Sequence, residues 1–155
     1  MHIKMATLED YEALLPIHKE IHEYHLEARP DIYRSADNTF IWDYFKGIIE
    51  NENARIFYIK NDIEVIAFTI CRKQSSSDRV TVAPREYMYV EEFGVKKEFR
   101  KQGLATMLFE KVVDFAKEKG VSEIELGVWE FNEPAIRFYE SMGMKTQVRR
   151  MEMKL

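Results

Sequence analysis

The chain has 155 residues, with 46% hydrophobic and 32% charged side chains and a formal net charge of −4. That size and composition fit one globular domain, residues 1–155, and exclude a disordered chain. The acidic balance weighs against a dedicated nucleic-acid binder, and no apolar run approaches the ~18 residues of a membrane span or marks a signal peptide.

Residues 3–6 read as a first strand. Thr7-Leu8-Glu9-Asp10 then resembles a capping box, with Asp in place of Glu or Gln. Leu14, Ile17, Ile21 and His25 share one face of the helix that follows, which should stop before Pro30. Asp37, Asn38 and Thr39 offer N-caps for a second helix, with Ile41, Phe45, Ile48 and Ile49 as its apolar stripe. Residues 55–60 and 65–72 read as strands flanking the turn Asn61-Asp62-Ile63-Glu64. Cys71 lies in the second of them. A lone cysteine forms no intrachain disulfide, so it reads as a small core residue in a reducing, cytoplasmic compartment. Residues 74–78 are polar and turn-rich. Residues 86–95 form a long strand rich in Tyr, Val and Phe.

The helix over 103–119 is the strongest in the chain, with Leu104, Leu108, Val112 and Phe115 on its buried face and Gly120 at its C′ position. Residues 123–129 alternate as a strand. Asn132 caps a last helix with Pro134 in its first turn, and Gly143 closes it. Residues 145–155 read as one or two final strands. The order implies an α/β chain with a mixed, mostly antiparallel sheet flanked by about four helices.

The segment Val95–Thr106 joins the long strand to the strongest helix. A strand–loop–helix junction offers unpaired N–H groups and a favourable dipole to an anion. Lys96, Lys97, Arg100 and Lys101 stand against Glu98, a local charge of +3 that leaves −7 on the rest of the chain. A P-loop would need Gly-Lys-Ser/Thr, and a dinucleotide fingerprint would need three glycines. Neither occurs here.

The run Arg100-Lys101-Gln102-Gly103-Leu104-Ala105 resembles the R/Q-x-x-G-x-G/A signature of the GCN5-related N-acetyltransferases. Tyr89–Val95 resembles the family's central strand, and Ala6–Asp10 its common opening. Asn132-Glu133-Pro134-Ala135-Ile136-Arg137-Phe138-Tyr139, continuing to Gly143-Met144, is similar to its distal motif, with Met144 for the usual aromatic. The resemblance spans nearly the whole chain. It implies an N-acetyltransferase that moves the acetyl group of acetyl-CoA to a primary amine in a ternary complex, without a metal. The rival is a non-catalytic acyl-CoA sensor on the same scaffold.

Carried over by position, the resemblance assigns the pyrophosphate to Arg100, Lys101, Gln102, Gly103, Leu104, Ala105 and Thr106. It assigns the pantetheine arm to the backbone of Phe93, Gly94 and Val95, and further cofactor contact to Asn132. Gly94 and Gly127 suggest strands that part where the thioester enters. Tyr139 resembles the family's general acid. Glu91 and Glu92 are the base candidates. Neighbouring strand residues point to opposite faces, which favours Glu91 beside Tyr87, Tyr89 and Phe93, unless a bulge at Gly94 reverses the choice. His18, His22 and His25 lie on one helix face and read as cleft lining rather than a metal site. In the resemblance, the first helix and the loop after it line the acceptor pocket, here His25, Tyr33 and Phe40, while Trp129 and Phe131 read as packing. The acceptor is a small-molecule amine or a peptide N-terminus, and a homodimer is common in the family. No nucleic-acid or membrane partner is expected.

Overall fold

A computed structural model describes the whole chain, Met1–Leu155. The Thr7 N–H donates to the Asp10 carboxylate at 2.8 Å. The expected capping box therefore forms, opening a 3-10 turn, Leu8–Asp10, that runs into α1, Tyr11–Ala28. α1 stops short of Pro30, whose ring disfavours helical angles at the residue before it.

α2 is Trp42–Glu50 and begins later than the predicted caps. Asn38 instead accepts the Phe40 N–H at 2.9 Å, and the Thr39 hydroxyl meets His18 Nδ1 at 2.9 Å. These local bonds hold the approach to α2 out of helix. Phe45 and Ile48 still form a buried stripe, while Ile41 is exposed.

Five strands form one sheet in chain order: β1 His2–Met5, β2 Ala54–Lys60, β3 Val65–Ser75, β4 Glu86–Val95 and β5 Ile124–Leu126. The first four run antiparallel, and β5 pairs parallel to β4. With α3, Leu104–Glu118, and α4, Glu133–Ser141, this is the expected mixed sheet with four helices. The period-2 alternation sorts side chains to two faces. Leu14, Ile17, Phe45 and Ile48 of α1 and α2 pack on Ile56 and Phe68 at the front. At the back, Val112 and Phe115 of α3 pack on Met88 and Val90, and Leu104 and Leu108 on Ile59 and Ile66. Each such side chain contributes roughly 1.5–3 kcal/mol by leaving water. Cys71 is fully buried, and burial pushes its thiol up to about 12, so it is an inert core residue.

Two expectations fail in the last third. β5 has three residues rather than the seven expected, because its ladder with β4 ends at Val90 and Leu126. Residues 145–155 form no strand. Side chains tie them to the fold: Gln147 donates to Glu125 of β5 at 2.9 Å, and Glu152 pairs with Arg29 at the end of α1 at 2.8 Å. A strand needs a partner edge, and three residues of β5 offer too little.

Candidate active site

The site lies where β4 and β5 part. β4 carries a bulge where Ile70 pairs with Glu92 but Cys71 pairs with Val90, leaving Glu91 as the extra residue. The bulge shifts the alternation by one. Before it, Met88 and Val90 pack against α3; after it, Phe93 and Val95 do. Glu91 and Glu92 consequently both look to the front. The alternation expected from the sequence sets them on opposite faces unless a bulge at Gly94 intervenes; the bulge lies at Glu91 instead, and both carboxylates share one face.

The two carboxylates differ in their partners. Glu91 is ion-paired with Arg72 of β3 and accepts the Tyr44 hydroxyl of α2. Glu92 has no cation against it. Facing it is His18, with Nε2 3.8 Å from Oε1. Burial, and then the charge of Glu91, push the Glu92 carboxyl up to about 7. His18 is buried, stacked on Phe40 at 4.3 Å, and burial holds it down to about 4, so the ring is neutral. Phe40 itself is fully buried in the core and does not line the cleft.

The edge of β4 beyond the bulge is open. The Lys96 N–H bonds to Ile66 at 2.9 Å. By alternation, Gly94 and Glu92 turn their backbone groups towards β3, and Phe93 and Val95 turn theirs to the side that β5 has left. Arg100 Nε reaches the Val95 carbonyl at 3.2 Å. Gly94 has a different reason to be glycine from the close ligand approach expected, since a Cβ there would collide with Ile21 of α1.

The loop after β4 leaves a run of backbone N–H groups unpaired. Lys101 and Gly103 both have left-handed backbone, φ +61° and +80°. For lysine this costs roughly 1–2 kcal/mol. Such residues turn successive N–H groups into one concavity. None of the six N–H groups from Lys101 to Thr106 has an acceptor within the chain, and the first helical bond is Met107 N–H to Gly103 at 3.1 Å. The side-chain charges are less uniform than the sequence suggests. Lys96 is paired with Glu64, while Arg100 lies over the Tyr24 ring at 5.6 Å.

A cleft of about 210 Å³ brings together Glu91, Glu92, Phe93, Asn132 and Tyr139 with His18, His22 and His25 of α1. Asn132 accepts the Ala135 N–H at 3.3 Å as the expected N-cap, and also receives the Tyr24 hydroxyl at 3.4 Å. Tyr139 packs edge-on to Phe93 at 5.8 Å, and its hydroxyl donates to no protein acceptor. Burial pushes its pKa up from the usual value, so the phenol keeps its proton. The three histidines are held separately: Nδ1 of His18 to Thr39, Nε2 of His22 to the Arg34 carbonyl and Nδ1 of His25 to the Ile21 carbonyl. Tyr33 and Trp129 line the far wall, joined by an indole-to-hydroxyl bond of 2.9 Å. Phe131 stands behind Trp129. Arg72 and Tyr44 escaped the sequence reading. The only signal was one arginine closing the apolar run of β3.

The family model described as the acetyltransferase (GNAT) family matches residues 14–144. The chain belongs to this family. An uncharacterised N-acetyltransferase of Methanocaldococcus jannaschii is 28% identical over 102 residues, 66% of this chain. The match spans 44% of that relative, less than half of its length. Among solved structures, a tetramutant of the BH1408 protein of Bacillus halodurans is 31% identical, with both chains covered in full and a TM-score of 0.92. A protein of Clostridium acetobutylicum described as a predicted acetyltransferase, solved with acetyl-CoA, shares the fold at 16% identity, with a TM-score of 0.71 over 99% of this chain and 95% of its own.

Proposed function

We propose that this protein is an N-acetyltransferase that moves the acetyl group of acetyl-CoA directly to a primary amine. One juxtaposition carries the reading. A cradle of six unpaired N–H groups and an open strand edge lead into a cleft that holds a raised carboxylate and a protonated phenol. The cradle suits a pyrophosphate, and the solved relative with acetyl-CoA supports that co-substrate. Gly103 leaves open space above the loop, where a Cβ would meet nothing of the protein. Gly103→Val puts a branched side chain there at a left-handed position. Acetyl-CoA affinity is expected to fall at least tenfold by calorimetry, and unchanged affinity would remove the loop from the phosphate role.

In this reading Glu92, rather than Glu91, takes the proton from the incoming ammonium, since Glu91 is already engaged by Arg72 and Tyr44. The Phe93 N–H faces the carbonyl oxygen as negative charge develops. As the carbon–sulfur bond breaks, Tyr139 gives its proton to the departing sulfur, and the second proton shed by the nitrogen as the amide forms restores the phenol. The test is coenzyme A release with acetyl-CoA and a panel of polyamines, aminoglycosides, amino acids and peptide N-termini. Turnover on one class supports the reading. Tight acetyl-CoA binding with no turnover on any of them supports the sensor instead.

The proposal extends to one domain acting in the cytoplasm as a homodimer. The buried free thiol of Cys71 supports the compartment. Supporting a dimer, the unpaired segment 145–155 exposes Val148, Met151 and Met153. Arg150 and Glu152 would face each other's charge if two copies of this segment paired antiparallel about Met151. Met151→Asp is then expected to shift the mass by light scattering from dimer to monomer, and an unshifted dimer would place the interface elsewhere.

A further inference from the structure

The bulge in β4 creates a problem that β3 answers. Two carboxylates stand side by side on one face, and each disfavours ionisation of the other. Among the elements around Glu92, α1 contributes His18 and His22, α2 contributes Tyr44, α4 contributes Tyr139, and β4 contributes Glu91. None of these is a fixed cation. The guanidinium that reaches this pair is Arg72, which the antiparallel register sets opposite Tyr89. Its side chain reaches along the strand to grip Glu91, with Nη2 3.3 Å from Oε2 and Nε against Oε1. Tyr44 takes the remaining capacity of Oε2. Arg72 is only 26% exposed, so this is a partly buried pair rather than a solvated one.

We propose that Arg72 is a positioning residue for the base, holding Glu91 as an ion-pair partner so that its charge is turned away from Glu92. The inference rests on the reading of Glu92 as base. Arg72 touches neither substrate nor the reacting atoms, and acts only through Glu91. An ion pair presents a dipole to its neighbour where a bare carboxylate presents a full charge. Burial is the first cause of the raised Glu92 carboxyl and the charge of Glu91 the second, and it is this second contribution that the ion pair limits.

The experiment is a pair of titrations on the full chain. One follows the Glu92 side-chain carboxyl carbon by NMR, and the other follows kcat/KM against pH. Arg72→Met, which keeps an unbranched apolar stem, is expected to move both Glu92's titration and the acid limb of the rate upwards by about one unit. The rate at pH 6 would then fall about tenfold and recover at pH 9. Arg72→Lys, which keeps the charge, is expected to restore most of the shift. In Glu91→Gln the titration moves down, and adding Arg72→Met to that background changes nothing further, because the charge to be turned away is gone. If the Arg72→Met resonance titrates where the wild type does, the inference is overturned. If the resonance shifts but the acid limb does not, Arg72 still tunes Glu92, and it is the reading of Glu92 as base that fails.

Discussion

Tyr139→Phe is expected to lower kcat by roughly 10²–10⁴-fold while leaving acetyl-CoA affinity within about twofold. The structure makes the substitution a clean deletion of one atom. The ring is fixed by packing against Phe93, and the neighbouring Phe138 stacks on the same ring at 5.7 Å. The helix that carries it is started by the Asn132 cap, which is independent of the hydroxyl. No protein group accepts the hydroxyl's hydrogen bond, so removing it orphans nothing. The hydroxyl's remaining use is in the cleft it faces. Burial lifts its pKa, so it stays a donor across the working range. A stopped turnover with an unchanged binding isotherm, measured by coenzyme A release and calorimetry, is the expected pattern. Equal turnover in the two proteins would take Tyr139 out of the chemistry.

The elements that were legible in the sequence are those whose signals are local. The capping box at Thr7, the stripe of α3, the glycines after α3 and α4, and the cap at Asn132 depend on neighbours within a few residues. Gly120 and Gly143 do adopt left-handed backbone, φ +71° and +93°. The strand–loop–helix junction around Gly103 was legible for the same reason. The carboxylate pair was not. Its geometry depends on the one-residue offset between Ile70 and Cys71 on the neighbouring strand, and nothing in Tyr-Val-Glu-Glu-Phe-Gly encodes a partner's register. Gly94 drew attention as a bulge, but its lack of a side chain answers to Ile21, more than seventy residues earlier in the chain. Phe40 was misjudged because a loop aromatic has no periodicity to reveal its burial. The final segment alternates like a strand, and its failure reflects a missing edge rather than a wrong pattern.

Glu92→Gln separates the two carboxylates by sign as well as by size. A base must be ionised to work. With its carboxyl raised to about 7, wild-type kcat/KM should climb tenfold per pH unit below 7 and level off above it. The amide cannot titrate, so the limb should vanish and the plateau fall roughly 10²–10⁴-fold. Glu91→Gln should retain a limb, displaced downwards. Folding stability should respond in the opposite sense. A carboxyl raised in the fold contributes stability that is fully present below its unfolded value near 4.5 and is lost as pH rises through about 7. The glutamine variant has no such loss. Its melting temperature should match wild type at pH 4.5 and exceed it at pH 8. A variant both more stable and less active at pH 8 is the signature of a carboxylate kept in an unfavourable place for its chemistry. A variant that keeps the acid limb would return the base to Glu91 or to a water held elsewhere in the cleft.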